Sequence, residues 1–130
     1  MSKTARHITV LVADGHAEIR EAVCEYLNRI QGVQVVGEAF NGFEVIAEVA
    51  RLKPDIVLLD VGLPELNGIE TARIVKRRFS STKVYLATLF DEALYEMEAH
   101  RVAAEGVISK SQLKRGLASL LRVAQHQANQ

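Results

Sequence analysis

The run Ile56-Val57-Leu58-Leu59 ends on Asp60 and is followed at once by the turn Val61-Gly62-Leu63-Pro64. A run of branched aliphatics without polar alternation reads as a strand buried on both faces, so a carboxylate at its end sits at the rim of a core. Ile8-Thr9-Val10-Leu11-Val12-Ala13 runs in the same way into Asp14, and Val84-Tyr85-Leu86-Ala87 into Thr88. The shorter Gly106-Val107-Ile108-Ser109 runs into Lys110. Strands of this type belong to parallel sheets covered by helices, and parallel strands bring their C-terminal ends to one edge. Two carboxylates, a hydroxyl and an ammonium are thus expected at one place. That set suits an anion or a metal-bound phosphate.

Composition narrows the classes. The 130 residues are read as a single domain, 1–130, able to bury about two thirds of its unfolded surface. The folded core is expected over about 7–124, with a frayed Gln-rich tail. Lys+Arg and Asp+Glu balance at 16 each, so no net field draws the chain to nucleic acid or anionic lipid. The single Cys24 precludes an internal disulfide and fits a reducing compartment. No apolar stretch approaches the ~20 residues of a membrane span, and the first residues lack a signal peptide's apolar core. A cytoplasmic location is expected.

Helical spacing separates the strands. Ile19, Ala22, Val23, Tyr26, Leu27 and Ile30 form a first stripe, ended by Gly32. Val33–Ala39 follows as an edge strand, with Gln34 and Glu38 on a wet face. Asn41 and Glu44 have the spacing of a capping box for a second helix, whose buried stripe is expected at Phe43, Ile46, Ala47 and Ala50. Lys53-Pro54 stops it. Asn67 with Glu70 caps a third helix that turns Ile69, Ala72, Val75 and Phe79 inward. The fourth, from about Glu92 to Ala104, is poorly patterned and expected to be loose. The fifth, opened by Ser111, carries Leu113, Leu117, Leu120, Leu121 and Ala124. Right-handed crossovers then give a doubly wound five-stranded parallel sheet of order 2-1-3-4-5, an α/β flavodoxin-like (βα)5 fold with Asp14 and Asp60 side by side.

At Val10-Leu11-Val12-Ala13-Asp14-Gly15-His16, Asp55-Ile56-Val57-Leu58-Leu59-Asp60-Val61-Gly62-Leu63-Pro64 with Asn67-Gly68, Leu86-Ala87-Thr88 and Ser109-Lys110, the chain resembles the receiver domain of two-component response regulators over nearly its whole length. The resemblance implies that Asp60 is the phosphoacceptor, phosphorylated by a histidine kinase or phosphotransfer protein. It further implies that Thr88 bonds the phosphoryl group and moves with it, that Lys110 neutralises its charge, and that Asp14, Asp60 and the Gly62 carbonyl hold Mg2+. A carboxylate is a poor nucleophile toward an anionic donor unless cations lie between them, which fits those roles.

Two departures stand out. Receivers resembling this chain carry two adjacent acids after the first strand, whereas Asp14 is followed by Gly15. The missing acid is the direct metal ligand, so Mg2+ binding is expected to weaken by at least ~10–100-fold, with water filling the gap. Glu18 is a candidate substitute ligand one helical turn on. At Val107 many receivers have an aromatic side chain that swings inward, and valine offers no such lever.

Plainer readings compete. Asp14 suits a helix cap, Thr88 a strand end and Lys110 a salt-bridge partner of Asp60. His16 reads as a surface residue at a helix start, and His7, His100 and His126 lack ligand spacing. Lys76-Arg77-Arg78 complements a helix dipole. Tyr95, Met97 and Arg101 offer a partner surface on the fourth helix. The leading expectation is a stand-alone signalling switch, not an enzyme beyond self-catalysed phosphoryl transfer, acting through its fourth helix, fifth strand and fifth helix on a downstream protein or a second copy. The alternative is a degenerate receiver that binds partners without phosphorylation. A flavin or nucleotide binder has little support, because no Gly-rich loop follows the first strand.

Overall fold

The computed structural model describes residues 7–128. Residues 1–6 and 129–130, and the side chains at 123–125 and 127–128, lie outside the described residues, and with them Ala124 of the expected stripe and the end of the Gln-rich tail. The strands are β1 (Ile8–Ala13), β2 (Val33–Ala39), β3 (Ile56–Asp60), β4 (Lys83–Thr88) and β5 (Gly106–Ser109). They pair in parallel in the order β2-β1-β3-β4-β5. Between and after them run α1 (Ala17–Asn28), α2 (Gly42–Leu52), α3 (Gly68–Arg78), α4 (Glu96–Arg101) and α5 (Leu113–Ala128). This is the expected doubly wound, flavodoxin-like sheet.

Alternation along the central strands feeds two separate cores. Val10 and Val12 of β1 and Ile56 and Leu58 of β3 pack with Val23 and Leu27 of α1 and Leu117, Leu120 and Leu121 of α5. Their neighbours Leu11, Ala13, Val57 and Leu59 face the opposite layer, with Val45 and Val49 of α2, Ala72 and Val75 of α3, and Ala99 of α4. Both faces being covered explains why these strands carry no polar alternation. β2, at one edge, does expose Gln34 and Glu38.

Asn41 and Asn67 cap α2 and α3, accepting the backbone N–H of Glu44 at 2.8 Å and of Glu70 at 3.0 Å. Elsewhere the local reading needs correction. In α2 the buried stripe is Val45 and Val49, flanked by half-buried Ile46, while Phe43, Ala47 and Ala50 are exposed. The helix is apolar over most of its circumference, so spacing alone leaves its phase open, and the fit against β1 and β3 selects it. Ala22 of α1 is exposed and Cys24 buried. α4 is shorter than expected: a 3-10 turn, Glu92–Leu94, precedes a six-residue helix. Before α5, Lys110–Gln112 forms a 3-10 turn capped by Ser109, whose side chain accepts the Ser111 N–H.

Register then fixes the edge that matters. Ala13 lies opposite Leu59, Asp60 opposite Ala87, and Thr88 opposite Ser109. The residues that end the strands therefore emerge side by side.

Candidate functional site

Asp60 is the last residue of β3 and only 6 % exposed. The chain turns sharply behind it, with Gly68 N–H donating to the Val61 carbonyl at 2.9 Å. The start of α3 approaches so closely that a Cβ on Gly68 would overlap the Asp60 carbonyl oxygen and lie 2.8 Å from Val61 Cα. Gly68 thus lets the helix lock the carboxylate's backbone in place. Gly62 N–H donates to Asp60 Oδ1 at 3.2 Å.

Lys110, on the turn after β5, places Nζ 2.9 Å from Asp60 Oδ1 and 2.7 Å from Asp14 Oδ2. All three side chains are buried, at 5–8 % exposure. Two carboxylates and one ammonium leave this desolvated cluster with a net negative charge. One divalent cation would reverse that sign and favour an incoming phosphoryl dianion.

Asp14 is held from several directions. Its N–H donates to the Ala39 carbonyl at 3.1 Å, and Arg20 Nη1 donates to its carbonyl at 2.7 Å. Arg20 in turn pairs through Nε with Glu38 at 3.0 Å. Asp14 Oδ1 accepts the backbone N–H of His16 at 2.8 Å, a turn that draws the imidazole Nδ1 to 3.1 Å from the same oxygen. Ligand atoms of Asp14, His16 and Asp60 all lie within 4.8 Å of one another. His16 is exposed at the start of α1, as its sequence position implies, and its side chain nevertheless reaches Asp14. The available signal was an Asp two residues before a His at a helix start, the spacing of an Asx turn. Glu18 is exposed and stands outside that group.

The other expected residues fall around this centre. Thr88 ends β4 at 2 % exposure, its Oγ1 accepting the Phe90 N–H at 3.0 Å. Val107 is buried in β5 opposite Leu86 and packs on the α2–α4 side of the sheet. Gly15 is exposed beside the cluster, and a Cβ there would meet Pro64 Cδ at 2.9 Å. The loop after Asp60 therefore occupies space that a side chain at position 15 would need.

As a donor set, two carboxylates suit a hard divalent cation such as Mg2+, which keeps several of its waters. Asp14 and Asp60 would hold it.

Comparison with known proteins agrees with this architecture. Residues 10–122 match the response regulator receiver domain family. The transcriptional regulatory protein YxjL of Bacillus subtilis is 34 % identical over 117 residues, covering 90 % of this chain and 54 % of its own length. The response regulator GacA of Pseudomonas syringae pv. syringae is 35 % identical over 115 residues, covering 88 % of this chain and 52 % of its own. The chain thus spans about half the length of these curated relatives. The response regulator domain of Thermotoga maritima CheB superposes with a TM-score of 0.83 at 28 % identity, covering 96 % of this chain and 98 % of that one. The chain belongs to the response regulator receiver domain family, a family of signalling switches, and its Asp14–Asp60–Lys110 cluster matches the phosphoacceptor site of that architecture. Among the described residues no helix is long and apolar enough to cross a membrane.

Proposed function

We propose that the protein is a phosphorylatable switch whose Asp60 takes a phosphoryl group from a histidine kinase or phosphotransfer protein. The observation that carries this reading is Lys110 Nζ, held between the Asp60 and Asp14 carboxylates at 2.9 and 2.7 Å in a buried pocket. An ammonium so placed neutralises charge on the attacked group without reorganising, which is the main contribution a protein makes to such a transfer. When bound, Mg2+ supplies a further positive charge that draws the donor's oxygens toward Asp60. Asp60 attacks through a carboxylate whose backbone is pinned by α3. Thr88 stands on the neighbouring strand, where its hydroxyl can turn to donate to a phosphoryl oxygen, drawing Oγ1 away from the Phe90 N–H that it accepts. That movement would loosen the β4–α4 connection and transmit the event to the face formed by α4, β5 and α5.

The Pro64 contact at Gly15 favours a second reading, a receiver that binds its partner without phosphorylation. Intact mass after incubation with acetyl phosphate, with and without Mg2+, separates the two. A Mg2+-dependent phosphoryl adduct absent from Asp60→Asn supports the switch. If the native chain gains no adduct and Gly15→Asp does, the phosphorylation-independent reading stands.

A further inference from the structure

We propose that His16 is a metal ligand, converting the divalent-cation site into a mixed nitrogen–oxygen site that prefers a first-row transition ion such as Mn2+ over Mg2+. The proposal rests on the phosphoacceptor reading of Asp60 and deepens it. Its basis is the geometry around Asp14. The imidazole Nδ1 lies 3.1 Å from Asp14 Oδ1. That contact is a hydrogen bond, and it holds the ring nitrogen beside the carboxylate at about the 3 Å that separates adjacent ligands of a six-coordinate ion with bonds of about 2.1 Å. The wider group, within 4.8 Å, needs only a small contraction toward the ~4.2 Å that separates opposite corners of such a shell.

The arrangement is built by the chain on both sides. Gly15 contributes no side-chain donor, and a Cβ there would stand 2.9 Å from Pro64 Cδ. His16, one residue on, is brought in by its own backbone N–H bonding to Asp14 at 2.8 Å. Arg20 anchors the Asp14 carbonyl at 2.7 Å, so the turn that carries the imidazole starts from a fixed point. The imidazole is 65 % exposed, leaving room for water in the remaining positions. Mg2+ takes oxygen donors almost exclusively, whereas imidazole suits first-row transition ions, so exchanging a carboxylate for an imidazole changes which ion gains.

The test is direct cation binding by the whole chain, measured by calorimetric titration with MnCl2 and with MgCl2 on the native protein, His16→Ala and His16→Asp. His16 makes no side-chain cap to α1, so these substitutions leave the helix start intact. Because Mn2+ outbinds Mg2+ at many sites, the decisive quantity is the change on substitution. His16→Ala should weaken Mn2+ by about tenfold and Mg2+ by less than about threefold, and His16→Asp should move the preference back toward Mg2+. Pulsed electron paramagnetic resonance of bound Mn2+ should show an imidazole nitrogen coupling that His16→Ala removes. Unchanged Mn2+ affinity in His16→Ala, or no nitrogen coupling, overturns the proposal while leaving the Asp60 reading intact. Absence of any cation binding that depends on Asp14 and Asp60 overturns both.

Discussion

At the β3–α3 corner Leu59 is fully buried, Asp60 is 6 % exposed, and Gly68 packs against Asp60 too closely to carry a side chain. Along the β4–α4 connection, by contrast, Leu89, Phe90, Leu94 and Met97 are each at least 60 % exposed, and α4 is six residues long. Both regions border the same site, and the difference follows from what each has to do. A reacting carboxylate must be held within fractions of an ångström, which dense packing and the Asn67 cap on α3 secure. A segment that reports a reaction needs two arrangements of similar free energy, and few buried contacts leave it that freedom.

The largest effect expected from this contrast is at Gly68. Gly68→Ala should lose about 3 kcal/mol or more in urea denaturation, because its Cβ overlaps backbone that cannot yield. Gly62→Ala, with nothing nearer than Asp60 Oδ1 at 3.9 Å, should stay within about 1 kcal/mol. Similar losses in both would break the comparison. Leu59→Ala should cost about 3 kcal/mol by the same measurement, against about 0.5 kcal/mol or less for Leu94→Ala. A large loss at Leu94 would mean that α4 is anchored after all. Removing the α3 cap with Asn67→Ala should cost about 1 kcal/mol, read from the shift in thermal midpoint.

The smallest expected effect lies at Cys24, on the packed face behind the site. Burial, with Glu38 adding to it, pushes its thiol up to about 11 from an ordinary value of 9.0. The folded form therefore holds its proton where the unfolded chain has lost it. This contribution is complete below pH 9.0 and declines as pH rises toward about 11. Between those values the urea midpoint of the native chain should fall more steeply than that of Cys24→Ala. Parallel curves would show that the thiol does not titrate with folding.

The elements legible in the sequence were those with one dominant signal. Unbroken aliphatic runs marked β1, β3 and β4 and required helices on both sides, and the Asn-x-x-Glu spacings located the starts of α2 and α3. The burial phase of α2 was not legible, since Val45, Ile46, Val49 and Phe43 offer competing apolar faces that only tertiary fit can rank. α4 was overextended because 92–104 lacks any periodic stripe to set its ends. At the site, Asp14, Asp60 and Lys110 could be placed together from strand topology alone. The contact of the exposed His16 with Asp14 depends on one backbone hydrogen bond to Asp14, which strand patterning does not register.

The central claim is that Asp60 is the atom-bearing group of the switch, and trapping the acyl phosphate tests it most directly. The protein is incubated with acetyl phosphate and a divalent cation, reduced with borohydride, digested and mapped by mass spectrometry. The account predicts that residue 60 is recovered as homoserine, at a level that falls to background when the cation is chelated. Reduction at Asp14 or another carboxylate, with Asp60 unmodified, would contradict it.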